Sequence, residues 1–177
     1  MNYDELSSWC LQHREIPEDT NNPFICSYQI NIDGDDPENF PEECSSINNP
    51  DKSFRLFITT RHLICLASEI KTIQADATYK LLWHNFPVLI IGFSDMDKVF
   101  HPLGLALCTT ERGADFEFIF NSLQVGLYRC GHEKLKNISL VADAADSITN
   151  GFANVFFPEN EKYKRGTFLL ANTIKLY

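Results

Sequence analysis

The sequence predicts a mixed α/β domain in which an antiparallel strand meander is followed by alternating helices and strands. Three observations predict it. "KTIQADATY", "FPVLIIGFSD" and "FHPLGLALCTT" are apolar, β-branched runs of strand length. The last two are joined by the polar turn "SDMDKV", too short for a crossover helix, so they must pair antiparallel. Beyond them, Phe116, Ile119, Phe120 and Leu123 form one helical stripe, followed by the apolar strand "NISLVAD" and a second helix, "AADSITNGFANVF".

The remaining elements flank this series. In "YDELSSWCLQHREI", Leu6, Trp9, Cys10 and His13 recur near helical spacing and predict a short N-terminal helix. "FICSYQINID" (24–33) reads as a strand. Residues 34–52 are rich in Pro, Asn, Ser and acids. Their small apolar area cannot offset the entropy of ordering, so a long loose loop is predicted there. That loop divides an acidic front region, 1–52, from a domain spanning 53–177. "SFRLFITT" alternates like a strand, "RHLICLAS" supplies one or two helical turns, and "TFLLANTIKLY" is strand-like at the end. From residue 71 the order is β-β-β-α-β-α-(β). A doubly wound sheet differs, because its connections are all helical. The order is that of the ribonuclease H-like fold, here C-terminally incomplete. In that fold the first and fourth strands are parallel neighbours, which brings Asp76 and Asp143 together.

Composition bounds the function. The chain has 177 residues, 44% hydrophobic with 14 Phe, enough for one domain with a real core. Its net charge of -9 lies in the front: residues 1–52 carry 12 acids and 2 bases, the rest 12 acids and 13 bases. Neither part is a basic nucleic-acid footprint. Cysteines 10, 26, 44, 65, 108 and 130 form no CxxC pair, and several lie in apolar runs that suit reduced thiols. The start "MNYDELSSW" is not a signal peptide, and no apolar run reaches the ~18 residues of a membrane span. An intracellular protein without membrane partners is the expectation.

Asp76 is the anomaly, an acid inside an apolar strand. A buried carboxylate is costly unless it is paired or binds a cation. With Asp143 on the neighbouring strand, repulsion would be on the order of 4 kcal/mol at 4 Å and an effective dielectric of 20, raising one pKa. Together the two suit Mg²⁺ and phosphoryl transfer. The structural alternative for Asp76 is an interior salt bridge to Lys or Arg. For Asp143 it is a helix cap, since Asp146 stands three residues on in a near capping-box arrangement. Capping and ligation are compatible.

Other candidates read as structure. Asp95 and Asp97 suit a turn. Cys10 and His13 with Cys26 and Cys44 lack the regular spacing of a zinc site. His62, His84, His101 and His132 are scattered, "KYKR" (162–165) reads as a solvated loop, and Tyr79, Trp83 and Phe86 read as packing rather than a base-stacking platform.

The stretch "IQADATYKLLWHNFPVLIIGFSDMDKVFHPLGLALCTTERGADFEFIF" resembles the core of Mutator-like element (MULE) transposases. The family pattern is an aspartate followed by x-Thr-Tyr/Phe, a Tyr/Phe-Pro strand, a "D…FP/HP" turn and an acid before an aromatic-rich helix. "LVADAADSITNGFANVFFP" resembles its continuation, and the likeness spans roughly residues 53–160. The resemblance implies that Asp76 and Asp143 are the first two catalytic and metal-binding aspartates. Their site would use Mg²⁺ or Mn²⁺ to cleave and transfer strands of transposon-end DNA, in the nucleus. Two family features have no counterpart. "FFPENEKYKRGTFLLANTIKLY" lacks the Cys-x-x-His element, and Glu159 and Glu161 stand too close to the Phe-Pro to be the downstream third carboxylate. The upstream zinc module is also missing. The expectation is a truncated or domesticated transposase-derived domain, inactive as this chain. The alternative is a domesticated module that binds nucleic acid or protein without chemistry. A receiver-like phospho-acceptor aspartate is a weaker third reading, because the antiparallel hairpin at 86–108 conflicts with an all-parallel sheet.

Overall fold

A computed structural model describes residues 2–31, 53–78, 86–143 and 145–157, and the backbone of 169–170. The elements run α1 (Tyr3–Gln12), β1 (Pro23–Asn31), β2 (Ser53–Thr60), α2 (Arg61–Ala67), β3 (Thr72–Thr78) and β4 (Val88–Ser94). They continue with β5 (Phe100–Cys108), α3 (Gly113–Arg129), β6 (Ser139–Ala142), α4 (Asp146–Phe156) and the short β7 (Leu169–Leu170). The fold is mixed α/β, as the alternation of periods predicted.

All seven strands join one sheet in the order β1-β2-β5-β4-β3-β6-β7. β3, β4 and β5 form the expected antiparallel meander. Their hairpin turn is set by Asp95, whose Oδ1 accepts from the Asp97 and Val99 amides at 2.9 and 3.0 Å. Lys98 takes the left-handed conformation there (φ 63°). β6 lies parallel to β3 on one side, and β7 parallel to β6. On the other side, β2 pairs antiparallel with β5 and β1 with β2. Residues 23–31 of the acidic front region are thus a strand of the same sheet. The loose loop expected over 34–52 lies outside the described residues.

Helices cover the sheet unequally. α2, α3 and α4 pack on one face, burying Phe57, Ile73, Leu89, Ile91 and Leu103 against Phe116, Ile119 and Phe120. α1 packs on the opposite face, over Ile25, Phe54 and Leu56. It begins with a reciprocal cap: Asn2 Oδ1 accepts from the Glu5 amide at 2.8 Å, and Glu5 Oε2 from the Asn2 amide at 3.0 Å. α3 and α4 cross closely at Gly151, where an added Cβ would stand 2.7 Å from the Glu117 nitrogen and 2.8 Å from the Gly113 oxygen. Phe120 and Phe152 close that crossing edge to face, with ring centroids 5.4 Å apart.

Candidate functional site

The parallel pairing of β3 with β6 decides where the two aspartates stand. Its register is Thr72 with Ser139, Ile73 with Leu140 and Gln74 with Val141. Ile73 and Leu140 are buried in the core beneath α3 and α4. Asp76 and Asp143 each lie two residues past the Gln74–Val141 pair, at one level of the register. Side chains alternate along a strand, so Asp76 within β3 belongs to the face opposite that core, and Asp143 directly follows the last residue of β6. Neighbouring strands are about 4.8 Å apart, and the charge of Asp143 acts on Asp76.

Asp76 is half-buried, and its Oδ1 accepts from the Ala77 amide at 2.9 Å. Burial pushes its carboxyl pKa up; the Ala77 amide opposes this, and the charge of Asp143 adds to it. Among the described residues, neither aspartate forms an ion pair with Lys or Arg. The interior salt bridge offered as the structural account of Asp76 therefore has no partner there.

Asp143 is exposed and follows the last residue of β6. Its Oδ1 accepts from the Ala145 amide at 3.2 Å, an Asx-type turn. It does not cap α4. That helix starts at Asp146 with Ala145 in the cap position, so Asp146 falls in the first turn and the capping box with Asp143 does not form.

A third acid stands nearby that the sequence reading left without a role. β3 and β5 both run antiparallel to β4, so their C-terminal ends emerge on the same edge. Val88 pairs with Thr78 on one side and Leu107 on the other, and the Cys108 amide donates to Pro87 O at 3.2 Å. The chain then passes through Thr109, Thr110 and Glu111 into α3. Burial raises the Glu111 pKa, and the charges of Asp143, Asp76 and Asp115 raise it further. The signal in the sequence was the acid before the aromatic-rich helix in "ERGADFEFIF". Among the described residues, no three His, Cys, Asp or Glu side chains converge closely enough to hold one ion. Ligation of a cation would thus start from the Asp76–Asp143 pair, with Glu111 in the same field.

The other candidates are structural. Cys10 is buried on the inner face of α1, while His13 Nδ1 lies 2.7 Å from Trp9 O and its ring stacks on Trp9. Cys26 Sγ donates to Ser122 O at 3.4 Å. Asp95 takes its predicted place in the turn, and its Oδ2 lies 2.7 Å from His101 Nε2, a contact that lowers the Asp95 pKa. Phe86 packs edge to face on Phe54. Tyr79, Trp83, His84, Cys44, Glu159, Glu161 and 162–165 lie outside the described residues. No helix among the described residues is long and apolar enough to cross a membrane. No protein-family model, curated protein or solved structure matches this chain.

Proposed function

We propose that this chain is a ribonuclease H-like domain of MULE-transposase descent, in which Asp76 and Asp143 hold Mg²⁺ or Mn²⁺ and the substrate class is DNA. The observation that carries the reading is the parallel pairing of β3 and β6 through Gln74 and Val141, with Asp76 two residues further along β3 and Asp143 directly after the end of β6. The strand order β5-β4-β3-β6-β7 supports the fold assignment, being a meander extended by two parallel strands that are reached through helices. The donors are hard carboxylate oxygens, which suit these cations. Each aspartate spends an oxygen on a local amide, Asp76 on Ala77 and Asp143 on Ala145, which orients the carboxylate. A bound cation would supply charge stabilisation and an activated water for phosphoryl transfer.

The reading for this chain is weak cation binding without strand cleavage, because two adjacent aspartates are a sparse ligand set for two-metal chemistry. Near-neutral charge over residues 53–177 gathers few phosphates, so DNA affinity should be low at physiological salt. The test is a Mn²⁺ titration of wild type and Asp76→Asn, with a labelled duplex incubated beside each. Wild type should bind Mn²⁺ and leave the duplex intact, and the variant should lose binding. Equal binding by both proteins sinks the site. Metal-dependent cleavage that vanishes in Asp76→Asn makes the protein an active nuclease instead.

A second reading is a domesticated, non-catalytic module that binds nucleic acid or protein. Duplex binding that is indifferent to both Mn²⁺ and Asp76→Asn would select it.

A further inference from the structure

On the sheet face that carries α1, strand register lines up one row of side chains beside that helix. Ile58 pairs with Leu105, Leu105 with Ile90, and Ile90 with Asp76, so the row crosses β2, β5, β4 and β3. Alternation puts all four opposite the main core, because the residues next to them along each strand, Phe57, Ala106, Leu89 and Ala75, are buried in it. The row is not sealed: Leu105 is 37% exposed, and Ile58, Ile90 and Asp76 are half-buried.

The dimensions of this surface select the form of an occupant. β5, β4 and β3 are consecutive in the sheet, and two strand spacings span about 10 Å. A helix with its side chains is about 10–12 Å across, and helices pack side by side at about 8–10 Å. α1 is the described helix on this face, and the residues it buries there are Ile25, Phe54 and Leu56 of β1 and β2. One further helix therefore fits beside it, over β5, β4 and β3.

Charge selects the chemistry of that helix. Asp76 ends the apolar row, and among the described residues no Lys or Arg pairs with it. A wholly apolar helix laid over the row would bury this carboxylate without a partner, which is costly. A Lys or Arg on the helix removes that cost, because its apolar stem can lie along Ile90 while its head reaches the carboxylate. A second copy of this chain is the wrong occupant. Its net charge is -9, and α1 has Asp4 and Glu5 in its first turn and no base in its last.

We propose that the sheet face formed by Ile58, Leu105, Ile90 and Asp76 docks a basic amphipathic helix of a partner protein, with the apolar stripe on the row and a Lys or Arg on Asp76. The proposal deepens the binding-module reading, on which it rests, and needs no cation.

The probe is a fluorescein-labelled peptide of about 18 residues, with Leu and Lys at amphipathic helical spacing. Its binding to the full chain is read by anisotropy in EDTA at physiological salt. A matching peptide with Glu in place of Lys and a labelled duplex are titrated beside it. Wild type should bind the Leu/Lys peptide and not its Glu counterpart. Leu105→Gln and Asp76→Asn should each weaken binding by about tenfold. Glu133→Gln, an equal change of charge at an exposed position beyond α3, should leave it unchanged. Asp76→Asn removes a charge without opening a cavity, which covers the case in which Leu105→Gln fails to fold. Equal losses in Asp76→Asn and Glu133→Gln would reduce the binding to net charge and overturn the proposal, as would a folded Leu105→Gln that binds like wild type. A wild-type dimer in sedimentation that Leu105→Gln dissociates would give the face to a second copy and overturn it too. Duplex binding without peptide binding overturns the proposal and leaves the binding-module reading standing; binding to neither removes both.

Discussion

Two acidic regions stand at the same end of the sheet and are treated in opposite ways. At the foot of α3, Asp115 is almost fully buried yet receives a guanidinium, a hydroxyl and a backbone amide. Near the ends of β3 and β6, Asp76 is less buried and among the described residues receives one amide, and the charge of Asp143 acts on it. Depth of burial thus does not rank the strain on these groups; the supply of partners does. The Asp115 region is complete within the protein. Among the described residues the Asp76 region keeps excess negative charge, which is the physical basis for proposing a cation there.

The strongest way to break this contrast is to take the partner from the complete region. Arg55→Ala leaves Asp115 buried with an uncompensated charge and should cost about 3–5 kcal/mol of stability, measured by urea unfolding. Arg55→Met combined with Asp115→Leu should recover much of that loss. A cost for Arg55→Ala below about 1 kcal/mol would put the pair on the level of a surface salt bridge and erase the contrast.

Gly151→Ala tests how rigidly the helices behind both regions are set. The new methyl meets the Glu117 nitrogen, the Phe116 Cβ and the Gly113 oxygen, and backbone cannot yield as a flexible side chain would. We expect destabilisation of about 1–3 kcal/mol in the same unfolding measurement. A neutral result would mean that α3 and α4 can slide apart freely.

Asp76→Asn sharpens the contrast from the unsatisfied side. Its folded pKa is raised, so the folding contribution of its proton is fully present below the unfolded value of about 3.9 and is lost as pH rises through the folded value. In a metal-free buffer at pH 7, the Asn variant should therefore melt slightly higher than wild type. The rise should be no more than about 2 °C, because solvent screens a half-exposed group. The advantage should vanish below about pH 3, where the wild-type carboxyl is protonated as well. Added Mn²⁺ should reverse the order at pH 7, and thermal melts in both buffers read all three outcomes.

The smallest effect is expected at the hairpin tip, far from both regions. His101 and the turn amides lower the Asp95 pKa, so its stabilisation is present above the unfolded pKa and lost as pH falls through the lower folded value. Hydrogen exchange at the Asp97 and Val99 amides should quicken as pH falls through that window, once corrected for intrinsic rate. In Asp95→Ala it should be fast throughout, with Mn²⁺ affinity unchanged. A change in Mn²⁺ affinity would show that the tip and the strand ends are coupled.

Local pattern was a good guide to elements and a poor one to neighbours. The short polar turn at 94–99 forced β4 and β5 antiparallel, since no crossover fits in it. Phe116, Ile119, Phe120 and Leu123 revealed the buried face of α3 because helical spacing stacks them on one side. The run 24–31 was legible as a strand, but nothing local says that its partner is β2, more than twenty residues on. Asp143 looked like a cap because it precedes a helix; the helix start at Asp146 made it a turn acceptor instead.

By itself the sequence determined the period of each element, the antiparallel hairpin and the anomaly of Asp76, because these depend on residues a few positions apart. Tertiary structure decided what that anomaly adjoins. Asp143 reaches the level of Asp76 only through the parallel register of β3 and β6. Glu111 enters their field only because β3 and β5 end on one edge. Arg55 finds Asp115 only because β2 pairs beside β5. Charge interactions act through space, and the distances that govern them are set by strand pairing, which local sequence leaves open.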